Sequence, residues 1–315
     1  MYINGKGWYK LKLKIGMVGL GNIAQKAYLP ILTRETDWEF VGAFTPNKEK
    51  RGLICKQYRI EDFSSVHSVA DACDAVFVHS STATHFDIIS TLLLKGKHVY
   101  VDKPLAATLD QAEKLVELQQ TTGCKLMVGF NRRFAPMYVK AKEQSKEFAW
   151  ARFEKHRANS VGPHDVEFTM LDDYLHLVDT VRWLADGDLT LQHGALHKNE
   201  KNEMVFGQHT FSRKDGIQLT TAMHRNAGSG LEQLELVTNG AIIRVKNMNV
   251  TEKEASDTIS TSYPGSWDST LKQRGFEDAI HHFIHCVDHD ITPSVDGEEA
   301  LKSQQLVMKL VNPHL

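Results

Sequence analysis

The chain has 315 residues, 42% of them hydrophobic and 24% charged, which is enough for two domains that each bury a sizeable core. A formal net charge of −2 leaves no basic field to hold nucleic acid or anionic lipid. No apolar stretch approaches the roughly 20 residues that span a bilayer, and no signal peptide leads into the first strand. The expected compartment is therefore the cytoplasm, with no membrane and no nucleic-acid partner. Cys55, Cys73, Cys124 and Cys286 are scattered with no Cys-x-x-Cys pair, which suits free thiols in a reducing compartment rather than zinc or disulfides.

Residues 1–12 read as an N-terminal extension without an assigned role. From residue 13 to about 130, short apolar runs alternate with amphipathic stretches, the pattern of a doubly wound parallel α/β sheet. The predicted strands are Lys14–Val18, Glu39–Phe44, Ala75–His79, His98–Val101 and Lys125–Gly129. Predicted helices include Ala83–Lys95 and Leu109–Thr122, closed by Gly96 and Gly123. Between the first strand and its helix stands Val18-Gly-Leu-Gly-Asn-Ile-Ala24, a Gly-x-Gly-x-x-Ala turn. Gly19 permits the tight turn, and Gly21 lets backbone approach a pyrophosphate. Asn22 and Ile23 open the helix whose N–H groups face that pyrophosphate, and Ala24 lets the helix sit close. The alternative is a plain glycine-rich turn; its place at the first βα junction favours a Rossmann cofactor site.

Ligands of such a sheet lie beyond the carboxyl ends of its strands, which singles out three later segments. His79-Ser80-Ser81-Thr82-Ala83-Thr84-His85 carries small hydroxyl groups that line a cofactor or merely cap a helix. Asp102-Lys103-Pro104 and Asn131-Arg132-Arg133-Phe134 follow the next strands. The second strand ends on Phe44-Thr45-Pro46-Asn47-Lys48, with no carboxylate to hold a ribose 2′-hydroxyl and with Lys50 and Arg51 behind it. That favours NADP over NAD, with Thr45 and Lys48 near the 2′-position.

Residues 131–315 read as an α+β domain on a mainly antiparallel open sheet. Its predicted strands are Gln208–Ser212, Ile217–Met223, Leu234–Thr238 and Ala241–Lys246, turning at Lys214-Asp215-Gly216 and Asn239-Gly240. One helix is expected near Leu171–Leu184 and two near the C-terminus. On the first, Asp172 and His176 share a face, as do His176 and Asp179. A carboxylate beside an imidazole suits a general acid/base; the bland alternative is a solvated ion pair. The loop His156 to His164 is either surface or substrate wall. His281, His285 and His289 recur on one helix face beside Cys286, and the set favours no metal.

In order along the chain, the glycine turn, Asp102-Lys103-Pro104, Phe130 to Phe134 and Asp172-x-x-x-His176-x-x-Asp179 resemble the Gfo/Idh/MocA oxidoreductases. The family usually shows Glu-Lys-Pro, and its helix often carries glycines where this chain has Asp173-Tyr174-Leu175. Val78 to Thr82, Gly129 to Pro136 and Asn159 to Asp165 resemble the MviM-type branch. The resemblance implies that Lys103 hydrogen-bonds the substrate oxygen, His176 takes the proton and Asp172 orients it, with Asp102 at the cofactor ribose. The expected cofactor-binding set is Gly19, Gly21, Asn22, Ile23, Thr45, Lys48, Ser80, Ser81, Thr84, His85, Asp102, Lys103 and Asn131. The expected substrate contacts are Arg132, His164, Tyr174 and Asp179.

The function so implied is NAD(P)-dependent hydride transfer to or from a small sugar-like or cyclic polyol. Two alternatives are a catalytically weak cofactor- or sugar-sensing regulator, and reduction of a carbon–carbon or carbon–nitrogen double bond. A sheet face bearing Ile217, Leu219, Leu234 and Leu236 would need cover, which predicts a homodimer or homotetramer joined through the C-terminal sheet.

Overall fold

A computed structural model describes residues 11–34, 36–145 and 147–312, together with the backbone of a short hairpin, β1 (Tyr2–Asn4) and β2 (Gly7–Tyr9). The chain divides into two compact units, 1–129 with 280–301, and 130–279 with 302–315. The units are thus not two continuous segments, because Ile280–Leu301 clusters with the first.

The first unit holds six parallel strands: β3 (Leu13–Val18), β4 (Trp38–Phe44), β5 (Glu61–Asp62), β6 (Ala75–Val78), β7 (His98–Val101) and β8 (Leu126–Val128). Their order is β5-β4-β3-β6-β7-β8, so the winding reverses between β3 and β6. That reversal is where a doubly wound sheet receives its ligand. Strands β6, β7 and β8 are apolar runs because parallel strands are covered on both faces. The expected helix over 109–122 is present, with Thr108 capping its start and Gly123 at φ 68° closing it. Strand β5 carries two exposed acids and had no hydrophobic signal. The returning segment is tied to β8 by Val128 N–H on the Val295 carbonyl at 3.0 Å, and Lys125 pairs with Asp290 at 2.8 Å.

The second unit is built on eight strands: β9 (Phe148–His156), β10 (Thr190–Lys198), β11 (Met204–Ser212), β12 (Gln218–His224), β13 (Leu231–Thr238), β14 (Ala241–Lys246), β15 (Val250–Ala255) and β16 (Thr258–Ser262). In the order β10-β11-β12-β9-β13-β14-β15-β16, every neighbouring pair is antiparallel except β12 with β9. Both expected turns form, with Gly216 at φ 89° and Gly240 at φ 94°. Side chains alternate, and Leu219, Leu234 and Leu236 are fully buried inside their own unit, while Ile217 is half-buried ahead of β12. The apolar residues thought to need a partner are therefore the inward ones. On the opposite face Arg244 pairs with Glu235 at 2.7 Å and Glu254 at 3.0 Å, and Trp150, Phe206 and Ile259 are large apolar residues exposed there.

Candidate functional site

At the end of β3, Gly19 has φ +96°, and a Cβ there would meet the His79 carbonyl carbon and Ser80 nitrogen at 2.5 Å. Its own N–H bonds the Phe44 carbonyl at 2.8 Å. Gly19 is thus fixed by the crossing of two backbones. Gly21 differs, since a Cβ there meets only the His79 oxygen, at 3.8 Å. The fold leaves room for a side chain at Gly21, so its bareness fits a group bound against the turn. Asn22 and Ile23 begin the helix as expected, but Ala24–Tyr28 widens into a π turn before Leu29–Leu32 resumes α geometry.

Beyond β6, neither Ser81 before the turn Thr82–Thr84 nor Thr84 before the helix His85–Leu94 makes a side-chain cap. The hydroxyls are not consumed as caps; Thr84 Oγ1 lies 2.9 Å from Ser80 Oγ and 2.8 Å from the Ser81 carbonyl. His85 is buried and bridges two loops, with Nδ1 2.9 Å from the Pro104 carbonyl and Nε2 3.2 Å from that of Ser80. Burial lowers its pKa, against the opposing pull of those carbonyls. The residue expected to touch cofactor thus positions Asp102-Lys103-Pro104, where Asp102 and Lys103 are half-buried. After β4, Asn47 caps the helix Lys48–Tyr58, and Lys48 and Lys50 are exposed. Arg51 is committed elsewhere, bonded to Asp62 and, at 3.0 Å, to the Thr45 carbonyl.

In the second unit the expected helix over 171–184 is interrupted. Val166–Thr169 is α-helical, Met170–Tyr174 is a π turn and Leu175–Ala185 is α-helical again. The wider turn leaves Asp172 exposed and buries Asp173. His176 lies on the following helix at 9% exposure. Asp173 is the hub of an ion cluster: Arg157 donates to it in bidentate fashion at 2.9 and 3.0 Å, and Arg225 and Lys155 also pair with it. These cations hold its carboxyl far below the usual range although burial alone would raise it.

Three expected substrate contacts are bonded within their own unit. Tyr174 is fully buried, its hydroxyl 2.7 Å from His209 Nδ1 and 2.8 Å from Thr221 Oγ1. Asp179 is 1% exposed, accepts from Arg133 at 2.6 and 2.9 Å and takes the Ser303 hydroxyl at 2.8 Å. Arg132 binds Glu232 through two 2.7 Å bonds, with Tyr138 on the same carboxylate at 3.2 Å. Asn131, expected at the cofactor, donates to the Arg274 carbonyl at 2.7 Å within its own unit. His164 is exposed and stacks on Phe168 at 4.0 Å. Local spacing did not reveal Lys155, Arg157, Asp173, Arg225 or Glu232, whose pairings span up to 100 residues.

Along the helix Phe276–Asp288, His281 packs edge-on against Trp38 at 5.3 Å and His285 stacks on His289 at 4.1 Å. Among the described residues no group of three or more His, Cys, Asp or Glu is placed to hold a metal, and no helix is long and apolar enough to cross a membrane.

Burial also sets a pH response. His79 stacks on Tyr28 at 3.7 Å, and neither ring nitrogen has a hydrogen-bond partner among the described residues. Its pKa is pushed down to about 3 by desolvation, and that of His209 to about 4. Unfolded imidazoles take a proton near 6.5. The unfolded chain therefore binds more protons below that pH, and stability falls as pH drops from 6.5. Glu232 adds a lower window: held at about 2, it contributes above its usual 4.5 and that contribution is lost as pH falls toward 2. At pH 5, His79 alone is expected to cost about 2 kcal/mol relative to pH 8. Denaturant titrations of His79→Phe should show an advantage over the parent larger at pH 5 than at pH 8 by that amount; an equal difference at both would contradict it.

A glycine turn at the reversal of a doubly wound sheet, with room beside Gly21, defines a dinucleotide-binding unit. The family model described as "Oxidoreductase family, NAD-binding Rossmann fold" matches residues 13–130, and that described as "YceM-like, C-terminal domain" matches 136–256. YceM of Salmonella typhimurium strain LT2 is 48% identical over 298 residues, covering 95% of this chain and 97% of that protein. The crystal structure of a dehydrogenase (MviM) from Clostridium difficile is 47% identical with a TM-score of 0.93, covering 96% of this chain and 99% of that one. The scyllo-inositol 2-dehydrogenase (NAD(+)) of Bacillus subtilis strain 168 is 26% identical over 314 residues, covering 92% of this chain and 90% of the relative. The chain belongs to the Gfo/Idh/MocA family of NAD-binding oxidoreductases.

Proposed function

We propose that this oxidoreductase moves a hydride between a nicotinamide cofactor and a carbinol or carbonyl carbon of a small polyhydroxylated or sugar-like substrate. The observation that carries the reading is the joint presence of Lys103 after β7 and His176 after the π turn, in a chain similar over most of its length to an inositol dehydrogenase. When bound, the nicotinamide supplies or takes up the hydride. The turn from Gly19 to Ile23 holds the pyrophosphate, and Ser80, Ser81, Thr84 and Asp102 line its path. Lys103 hydrogen-bonds the substrate oxygen and favours its alkoxide character. His176 accepts the proton from that oxygen during oxidation and returns it during reduction. Asp172, exposed on the π turn, contacts the substrate or the imidazole.

NADP is the preferred cofactor in this reading, because no carboxylate stands at Thr45–Lys48 and Lys48 and Lys50 are exposed there. The compartment is the cytoplasm and the assembly a homodimer or homotetramer, now resting on family likeness rather than on an apolar sheet face. Titrating the purified chain calorimetrically with NADPH and NADH, then assaying inositols and sugars with each, tests the reading. Tighter NADPH binding, weakened several-fold in Lys48→Ala, is expected. Equal or tighter NADH binding would refute the NADP preference, and failure of both to bind would refute the function.

A further inference from the structure

Strands β9 and β12 run parallel and finish at the same end of the sheet. Arg157 and Arg225 follow them directly, and their loops are laced together by backbone bonds: Arg157 N–H to the His224 carbonyl and Ser160 N–H to the Arg225 carbonyl, both 2.9 Å. Both guanidiniums converge on Asp173, with Lys155 beneath them at 5% exposure and the Arg132–Glu232 pair beside it. Four cations thus meet two carboxylates. Such an excess is expensive to bury unless a further anion joins it. The strain registers on Lys155, whose amine is pushed down to about 7 by burial and by Arg132, against the pull of Asp173 and Glu232.

Arg157 is half-exposed and uses Nε and Nη2 on Asp173, while Arg225 uses Nε on the Ser160 carbonyl and Nη1 on Asp173. One terminal nitrogen of each fork is left without a partner among the described residues. Asp173 stands three residues before His176, about one helical turn. We propose that Arg157 and Arg225, backed by Lys155, form an anion subsite beside His176, so that the substrate is an acidic sugar bearing a carboxylate or phosphate. The inference rests on the oxidoreductase reading above and narrows its substrate class. Guanidinium forks suit either anion in bidentate geometry, whereas a neutral polyol leaves the excess charge uncompensated.

The test is calorimetric titration of the full chain, saturated with NADPH to occupy the pyrophosphate turn, with glucose, glucuronate, glucose 6-phosphate and inorganic phosphate. Glucuronate or glucose 6-phosphate should bind at least tenfold more tightly than glucose, the scale of one charge-assisted bond; which of the two does so identifies the anion. Arg157→Gln leaves Asp173 paired with Lys155 and Arg225, and is expected to erase that margin and weaken inorganic phosphate about tenfold. An acid bound no more tightly than glucose in the parent overturns the proposal whether or not the variant folds, as does a full margin in folded Arg157→Gln. Because binding is read apart from turnover, an acid bound no more tightly than glucose by the parent, with neutral polyols still oxidised, would sink the subsite and spare the oxidoreductase reading.

Discussion

Alanine at Lys103 or at His176 is expected to lower turnover by roughly a hundredfold or more, the usual scale for a positioned acid/base, with cofactor affinity nearly unchanged. Both substitutions should fold. Lys103 is half-buried in a loop held by the His85 bridge to the Pro104 carbonyl, and the helix Leu175–Ala185 stays anchored by fully buried Leu175, Leu177 and Val178. The pH dependence of the parental rate should carry a limb that vanishes in His176→Ala. Asp172→Asn should be milder, because its carboxyl is exposed and the imidazole remains. Near-parental turnover of any polyol in both alanine variants would remove Lys103 and His176 from the chemistry.

The two glycines of the first turn should separate cofactor binding from folding. At Gly21 a Cβ meets little of the protein, since it would stand 3.8 Å from the His79 oxygen. Gly21→Val is therefore expected to keep the parental melting temperature while weakening cofactor binding well over tenfold, more than about 1.4 kcal/mol. At Gly19 both the φ of +96° and the 2.5 Å approach to the His79–Ser80 backbone oppose any side chain. Gly19→Ala should destabilise the fold by a few kcal/mol. Calorimetry and thermal melts on the two variants check the contrast. Unchanged cofactor affinity in Gly21→Val would remove this turn from the binding site.

The Rossmann unit was legible because its strands are covered on both faces and stand out as apolar runs, with glycine marking the reversal. Strand β5 escaped because two exposed acids carry no such signal. The second sheet was half legible. Strands β12 and β13 alternate between buried and part-exposed positions, whereas β15 is uniformly half-buried and β16 uniformly exposed, so neither has a period to read.

The helix that carries His176 departs from the regular α geometry assumed for it. Spacing placed Asp172 with His176 and Asp179 on one face, but the π turn at Met170–Tyr174 changes which carboxylate turns inward. Asp173 becomes the buried hub, and Tyr174 is drawn onto His209 and Thr221. Arg132 was expected at the substrate because it follows the last parallel strand, and Asp179 because it shares a helix face with His176. Their partners, Glu232 for the first and Arg133 and Ser303 for the second, are brought in from distant parts of the chain, which local spacing does not disclose.

The central claim is hydride transfer between a nicotinamide cofactor and a carbinol carbon, with His176 moving the proton. Its most direct test incubates the purified chain and NADP or NAD with polyols and acidic sugars deuterated at their carbinol carbons, and follows the label by mass spectrometry. The account predicts deuterium in the reduced cofactor with at least one substrate, and roughly a hundredth of it or less with His176→Ala over the same interval. No labelled cofactor from any substrate, with the cofactor shown to bind, would contradict it.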